Sequence, residues 1–220
     1  MPVFNSVTLV CEKDSWLFPY AVSLQKKLFE KDVDAKLVHD YSRIQTGEAA
    51  FFLGCTKFCP KELLCRSQYN LVVHESELPK GRGYAPISWT VLGGKNEIIF
   101  SLIEADENID SGKIYYQLKI QMQGNELCAE IRELQGNKTI ELCLDFILNG
   151  RIQDAKEQKG EATYFRRRTS VDSELDVNKT LADQFDLLRI VDNERYPAFF
   201  KYKNRLYRLK IEAIGESENV

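Results

Sequence analysis

Apolar residues along this chain fall into short clusters whose spacing alternates between that of strands and that of helices. Up to His74, four short apolar or β-branched runs predict strands, at Ser6–Cys11, Asp34–His39, Ala49–Gly54 and Tyr69–His74. Between the first two runs, apolar residues follow helical spacing over Tyr20–Lys31, and Pro60 begins a short helix after the third. This alternation predicts an α/β fold with a doubly wound, mainly parallel sheet.

The rest of the chain contains a different mixture of elements. The pattern predicts a helix, two strands and a long helix, and after them a shorter helix and a hairpin. These elements are Ala85–Leu92, Ile98–Ile103, Ile114–Gln121, Asn125–Asn149, Lys179–Ile190 and Ala198–Ile214. We therefore expect one α/β domain over residues 1–150, with a C-terminal extension of a helix and a β-hairpin over residues 151–220 packed on it.

Composition limits the class of protein. With a formal net charge of −3, the 220-residue chain has no whole-molecule attraction for nucleic acid. No apolar run approaches the roughly 20 residues of a membrane span, and the first residues do not resemble a secretory signal. The six cysteines lack the paired spacing of a zinc site. We expect a cytoplasmic protein with reduced cysteines and no metal, and neither nucleic acid nor membrane as a partner.

The stretch from Asn70 to Gly112 contains the candidate chemistry. His74, one of two histidines in the chain, ends the fourth predicted strand, where sheets of this kind bind their ligands. Asp110 follows the next predicted strand, and the ends of neighbouring parallel strands meet, so we expect its carboxylate beside the imidazole. Such a pair can transfer protons. The alternative is a hydrogen-bonded strand-end histidine and a plain turn aspartate.

A loop with two glycines and two prolines, Ser76–Pro86, lies between these two residues. Its backbone is expected to be rigid and able to approach a ligand closely. Gly81-Arg82-Gly83 is not a phosphate-binding motif, and no Gly-x-Gly-x-x-Gly follows the first strand. A flat ligand bound partly by backbone groups fits this loop better than a triphosphate.

Several segments resemble the folate-dependent formyltransferases. They are His74-Glu75-Ser76-Glu77-Leu78-Pro79-Lys80-Gly81-Arg82-Gly83, then Pro86 and Trp89, then Asp110-Ser111-Gly112. Arg166-Arg167-Arg168 and Asn193–Phe199 resemble the sugar N-formyltransferase branch, and Asn-Leu-Val-Val-His-Glu-Ser resembles enzymes of amino-sugar pathways such as pseudaminic-acid synthesis. The resemblance implies a Rossmann-like fold, 10-formyltetrahydrofolate as the formyl donor and an amine as the acceptor.

The resemblance also implies roles for individual residues. His74 and Asp110 take the positions of the family's catalytic histidine and aspartate. The positions that contact folate are Ser76, Glu77, Leu78 and Pro79, and Arg82 and Gly83 complete the same motif.

The chain departs from the family pattern at three positions near the histidine. The family asparagine, two residues before the histidine, is here Val72. Asn70 faces the same side of the strand, about 6.6 Å from that position at ~3.3 Å per residue. It can replace the family asparagine only if the strand bulges or the ligand lies differently. Glu75 and Glu77 stand where the family usually has proline and leucine, which indicates a divergent subgroup.

Aromatic and basic residues suggest the acceptor. Tyr84 and Trp89 can stack on a base or sugar, or else pack in the core. Arg166, Arg167 and Arg168 can bind a pyrophosphate, or else form solvated surface. We expect a nucleotide-linked amino sugar of surface-glycan biosynthesis as the acceptor. The alternatives are a non-catalytic folate- or nucleotide-binding module, and formylation of an aminoacyl group on tRNA or a carrier. The hairpin also allows a homodimer.

Overall fold

A six-stranded sheet forms the centre of the computed structural model, which describes residues 2–215. The strands are β1 Ser6–Val10, β2 Asp34–Val38, β3 Gly47–Phe52, β4 Ser67–His74, β5 Arg82–Gly83 (outside the sheet), β6 Glu97–Glu104 and β7 Ile114–Gln121. The helices are α1 Phe18–Phe29, α2 Lys61–Leu64, α3 Pro86–Leu92, α4 Cys128–Asn149 and α5 Phe185–Arg189, with 3₁₀ turns at Tyr41–Arg43, Ile152–Asp154, Ser170–Ser173 and Ala182–Gln184. The strand order β2-β1-β3-β4-β6-β7 confirms the predicted α/β fold.

The direction of the strands changes after β4. Strands β2, β1, β3 and β4 are parallel, whereas β6 is antiparallel to β4 and β7 is antiparallel to β6. His74 pairs with Ser101, and Glu104 at the end of β6 pairs with Leu71. The expectation that β4 and the next strand end at the same edge is therefore wrong. Helix α3, with 7 residues, spans only ~10 Å, too short to return the chain along an eight-residue strand of ~26 Å.

Alternating residues of the central strands contribute to two hydrophobic cores. Leu9, Phe51 and Leu71 lie in the larger core, which α1 and α4 cover. Val10 and Phe52, one position further along, lie in the smaller core beside α2. This period of two is what a sheet buried on both faces requires.

Helix α4 runs without interruption through Gly136, although glycine has a low helix propensity. A Cβ at this position would lie 2.6 Å from the ring of Tyr20 on α1, so the glycine permits close approach of the two helices. The helix begins at Cys128, later than predicted, because the Glu130 carboxylate accepts a hydrogen bond from the Leu127 N–H at 2.7 Å.

The C-terminal extension packs against the α/β domain. Its short strand β8, Tyr164–Phe165, pairs in parallel with β5. Arg189 is 1% exposed and donates hydrogen bonds to Asn96 and Glu126 of the preceding domain. A division at residue 150 stays a prediction, and residues 1 and 216–220 lie outside the described part of the chain.

The predicted hairpin is present, whereas the predicted helix over Lys179–Ile190 is largely replaced by turns. Strands β9 Ala198–Tyr202 and β10 Arg205–Leu209 are joined by Lys203 and Asn204, both with positive φ, as a tight two-residue hairpin requires. Regular helix begins only at α5, because the side chains of Thr180 and Asp183 hydrogen-bond each other's backbone N–H groups and stabilise a turn. Among residues 2–215, no helix has the length and apolar character needed to cross a bilayer.

Candidate active site

His74 lies buried at the end of β4, with both ring nitrogens engaged. Its Nε2 lies 2.8 Å from the Gly81 carbonyl oxygen, and its Nδ1 lies 3.4 Å from Oδ2 of Asp110. A carbonyl oxygen can only accept, so Nε2 carries a proton. Nδ1 faces the carboxylate of Asp110. The structure thus brings together the two residues that the sequence predicted, as a partly buried imidazole–carboxylate pair.

Asp110 reaches His74 through the loop between β6 and β7, which folds back along the sheet. The residue has a positive φ of 48°, and its Oδ2 accepts the Gly83 N–H at 2.8 Å. A side chain at Gly112 would overlap the carbonyl oxygen of Glu104, so only glycine fits this turn. The predicted proximity is therefore present, but a returning loop produces it rather than the meeting of parallel strand ends.

The loop after His74 is held in place by the C-terminal extension. The Gly81 N–H donates to the Thr163 hydroxyl at 2.9 Å, and a side chain on Gly83 would overlap the Phe165 carbonyl oxygen. Gln158 donates to the Asp110 and Gly112 carbonyl oxygens at 2.8 Å each. No sequence motif indicates these contributions, because the three residues of the extension act through single contacts that have no periodic pattern.

A cavity of about 340 Å³ lies beside the His74–Asp110 pair. Its walls come from the segments after β1 and β3, the ends of β4 and β6, the start of α3, and α4. The lining includes Trp16, Leu17, Gly54–Cys59, Val72–Glu75, Gly83–Pro86, Ile103–Ala105, Asp106, Asn108–Asp110, Gln135 and Thr139. The cavity is mostly apolar with a few polar groups, as small-molecule sites usually are.

The predicted folate-contacting residues are divided between several environments. Gly83 lines this cavity, while Ser76 and Glu77 line a second one of about 680 Å³, next to Trp89. Leu78, Pro79 and Arg82 line neither of the two cavities, and Arg82 donates to the Gln158 side chain at 2.7 Å. Their roles in ligand binding stay predictions.

The structure does not bring Asn70 to the His74–Asp110 pair. Asn70 lies four residues before His74, or ~13 Å along the strand. Its amide donates to the Leu64 carbonyl at 3.1 Å, and it does not line the cavity beside His74. Val72 lines that cavity at the position of the family asparagine. The strand does not bulge there, so the first of the two conditions under which Asn70 would replace that asparagine is not met, and a catalytic role of Asn70 stays a prediction.

The three consecutive arginines have different environments. Arg166 forms an ion pair with Asp172, which strongly lowers the pKa of that carboxyl. Half-buried Arg168 donates to the Asp172 and Ile190 carbonyl oxygens at 3.1 and 3.4 Å. The Arg167 guanidinium lies over the ring of Tyr84 at 4.7 Å and forms no ion pair among residues 2–215. Of the three, Arg167 therefore remains free to bind an anion.

Trp89 is half-buried, lines the second cavity and packs against the C-terminal extension, so its predicted role in binding stays a prediction. It stacks on Phe165 with a centroid distance of 6.3 Å, lies under the Arg166 guanidinium at 4.8 Å, and donates from Nε1 to the Arg166 carbonyl at 2.9 Å. Tyr84, in contrast, lines the cavity beside His74. Within residues 2–215, no three His, Cys, Asp or Glu side chains form a group that could hold a metal ion.

The fold and the site define an α/β protein with a histidine–aspartate pair beside a cavity. The sequence profile described as formyl transferase matches residues 5–135, more than half of the chain. The chain therefore belongs to the formyl transferase family and is a formyl-transferring enzyme.

Solved structures share this fold at low sequence identity. Methionyl-tRNA formyltransferase from Clostridium thermocellum matches with a TM-score of 0.72 and 22% identity, over 97% of this chain and 95% of that one. A sugar N-formyltransferase from Shewanella matches with a TM-score of 0.68 and 15% identity, over 94% and 97%. HypX from Aquifex aeolicus, in complex with tetrahydrofolic acid, matches with a TM-score of 0.71 and 14% identity, over 93% of this chain but only 37% of that one.

Proposed function

We propose that this enzyme transfers the formyl group of 10-formyltetrahydrofolate to the amine of a nucleotide-linked amino sugar. The observation that carries the proposal is the His74–Asp110 pair, 3.4 Å apart, in the wall of a cavity in a member of the formyl transferase family. The folate donor is supported by the family and by the tetrahydrofolic acid bound to HypX, which shares this fold.

The reaction requires a neutral amine, stabilisation of an oxyanion and a proton for the departing nitrogen of the donor. An imidazolium at His74, held by Asp110, supplies positive charge where the oxyanion develops. Both ring nitrogens are engaged, so the contribution that this geometry supports directly is electrostatic. For His74 to donate a proton to the departing nitrogen, Nε2 must exchange the Gly81 carbonyl for the substrate.

Arg167 and Tyr84 support a nucleotide-linked sugar as the acceptor. The Arg167 guanidinium lies on the ring of Tyr84, and Tyr84 lines the cavity beside His74. Within residues 2–215, Arg167 forms no ion pair. A guanidinium suits the geometry of phosphate oxygens, and an aromatic ring suits a sugar or base. The sugar N-formyltransferase from Shewanella has the same fold, which is consistent with this class of acceptor.

The test is an assay of tetrahydrofolate formation with 10-formyltetrahydrofolate and a panel of UDP- and dTDP-amino sugars. Wild type is expected to turn over at least one of them, whereas Arg167→Gln should raise KM for that sugar nucleotide and leave KM for the donor unchanged. Folate binding without turnover of any acceptor would indicate a binding module. Turnover of an aminoacyl-tRNA but of no sugar nucleotide would overturn the proposed acceptor.

A further inference from the structure

Glu75 is a carboxylate next to His74 that the reaction described above does not use. Its Oε1 accepts a hydrogen bond from the Gln135 side chain on α4 at 2.7 Å, which fixes the orientation of the carboxylate. It lines both the cavity beside the His74–Asp110 pair and the second cavity beyond the loop.

No lysine or arginine forms an ion pair with the Glu75 carboxylate among residues 2–215. The side chain of α4 that hydrogen-bonds to it, Gln135, is uncharged. Burial raises the pKa of Glu75. The neighbouring His74 lowers this pKa, and Asp110 raises it further. Those are the two titratable groups that act on it from β4 and from the loop before β7. A carboxylate in such surroundings is a stronger base than one at the surface.

Thr139 provides a second, independent indication that a ligand binds here. It lies one turn after Gln135 on α4, is 2% exposed and lines the same cavity. Its hydroxyl oxygen has no hydrogen-bond partner among residues 2–215. A buried hydroxyl without a partner is costly unless a ligand or water satisfies it. The Thr139 hydroxyl therefore remains open to a polar group of a molecule bound in the cavity that Glu75 also lines.

Asp110 is less suited to accept a proton from the acceptor amine. Its Oδ2 already accepts the Gly83 N–H and faces the imidazole of His74. Glu75 accepts its side-chain hydrogen bond from an uncharged amide, and no lysine or arginine among residues 2–215 forms an ion pair with it. The two carboxylates thus have different environments, one holding the imidazole and the other open to the cavity.

We propose that Glu75 is the base that deprotonates the acceptor ammonium, oriented by Gln135, while the Thr139 hydroxyl binds a polar group of the same acceptor. The proposal rests on the proposed function. The ammonium loses one proton to Glu75, and the lone pair of the resulting amine forms the bond to the formyl carbon. As the bond from that carbon to the donor nitrogen breaks, that nitrogen gains the second proton lost by the amine. Glu75 then releases its proton to solvent.

The main test is the pH dependence of Glu75→Gln, which keeps the size of the side chain. At neutral pH, kcat/KM for the acceptor should fall by about 100-fold or more, as removal of a general base does. The loss should shrink as pH rises, because solvent then deprotonates the amine, whereas a structural defect would reduce activity equally at every pH. Glu133→Gln, the same change at an exposed position of α4, should leave activity unchanged.

Two further measurements separate the possible failures. Tetrahydrofolate binding, followed by fluorescence, should be unchanged in Glu75→Gln, and Glu75→Asp should recover part of the activity even if the glutamine variant folds poorly. Activity of Glu75→Gln within about threefold of wild type, or a loss that stays constant with pH, overturns the role of Glu75. If wild type formylates no amine at all, the proposed function fails, and the role of Glu75 fails with it.

Discussion

Asp110→Asn tests the charge that supports His74 with little change in shape. The asparagine can still accept the Gly83 N–H, but the negative charge 3.4 Å from Nδ1 is lost. At this distance and an effective dielectric constant of about 20, the attraction between two unit charges is about 5 kcal/mol. The side chains are 7% and 18% exposed, so screening by solvent reduces this to about 4 kcal/mol.

The magnitude predicts a large kinetic effect. At about 1.4 kcal/mol per tenfold change, kcat/KM should fall by about 1,000-fold if the imidazolium forms in the transition state. The assay is tetrahydrofolate formation at saturating donor, with donor binding and thermal unfolding measured in parallel. Asp145→Asn, at an exposed position of α4, is the matched control and should retain full activity. A loss of less than about tenfold in a folded, donor-binding Asp110→Asn protein would refute the electrostatic role.

Three further predictions concern the structure that supports the site. Gly112→Ala should lower kcat/KM by about 100-fold in a folded protein, because its methyl group displaces the turn from the Glu104 carbonyl; wild-type activity would show that the turn adapts. Arg189→Met should lower the free energy of unfolding in urea by about 3–5 kcal/mol, since it leaves Glu126 unpaired; less than about 1 kcal/mol would contradict this. Although burial opposes it, hydrogen bonds from backbone N–H groups and Arg132 lower the pKa of Asp192 to about 2. The stabilising effect of the ionised Asp192 carboxylate should be complete above about pH 4 and lost as pH falls towards 2. The free energies of unfolding of wild type and Asp192→Asn should therefore converge on acidification.

Sequence patterns were most informative where secondary structure depends on periodicity. The alternation within β1, β3 and β4 reflects burial on both faces of the sheet, and α4 keeps its helical spacing over 22 residues. Gly136 illustrates the limit of such patterns. Its helix propensity predicts a weak point, but its effect depends on the ring of Tyr20, which comes from a distant part of the chain.

The sequence predicted which residues form the site, but not how they are brought together. Position at a strand end and family resemblance both indicated His74 and Asp110, which the structure places together. The direction of β6 was not predictable from the apolar pattern, because parallel and antiparallel strands in a buried sheet have similar sequences. The partner of Glu75 on α4 also escaped prediction, since this contact joins segments far apart in sequence.

The most direct test of the account follows the formyl group itself. A donor with an isotope-labelled formyl carbon is incubated with the enzyme and an amino-sugar nucleotide, and the product is examined by NMR spectroscopy. We predict that the label appears in a formamide on the sugar with wild type and not with His74→Ala, although that variant folds and binds donor. Label that stays in the donor with every acceptor, or equal transfer by His74→Ala, would contradict the central claim that the His74–Asp110 pair catalyses formyl transfer.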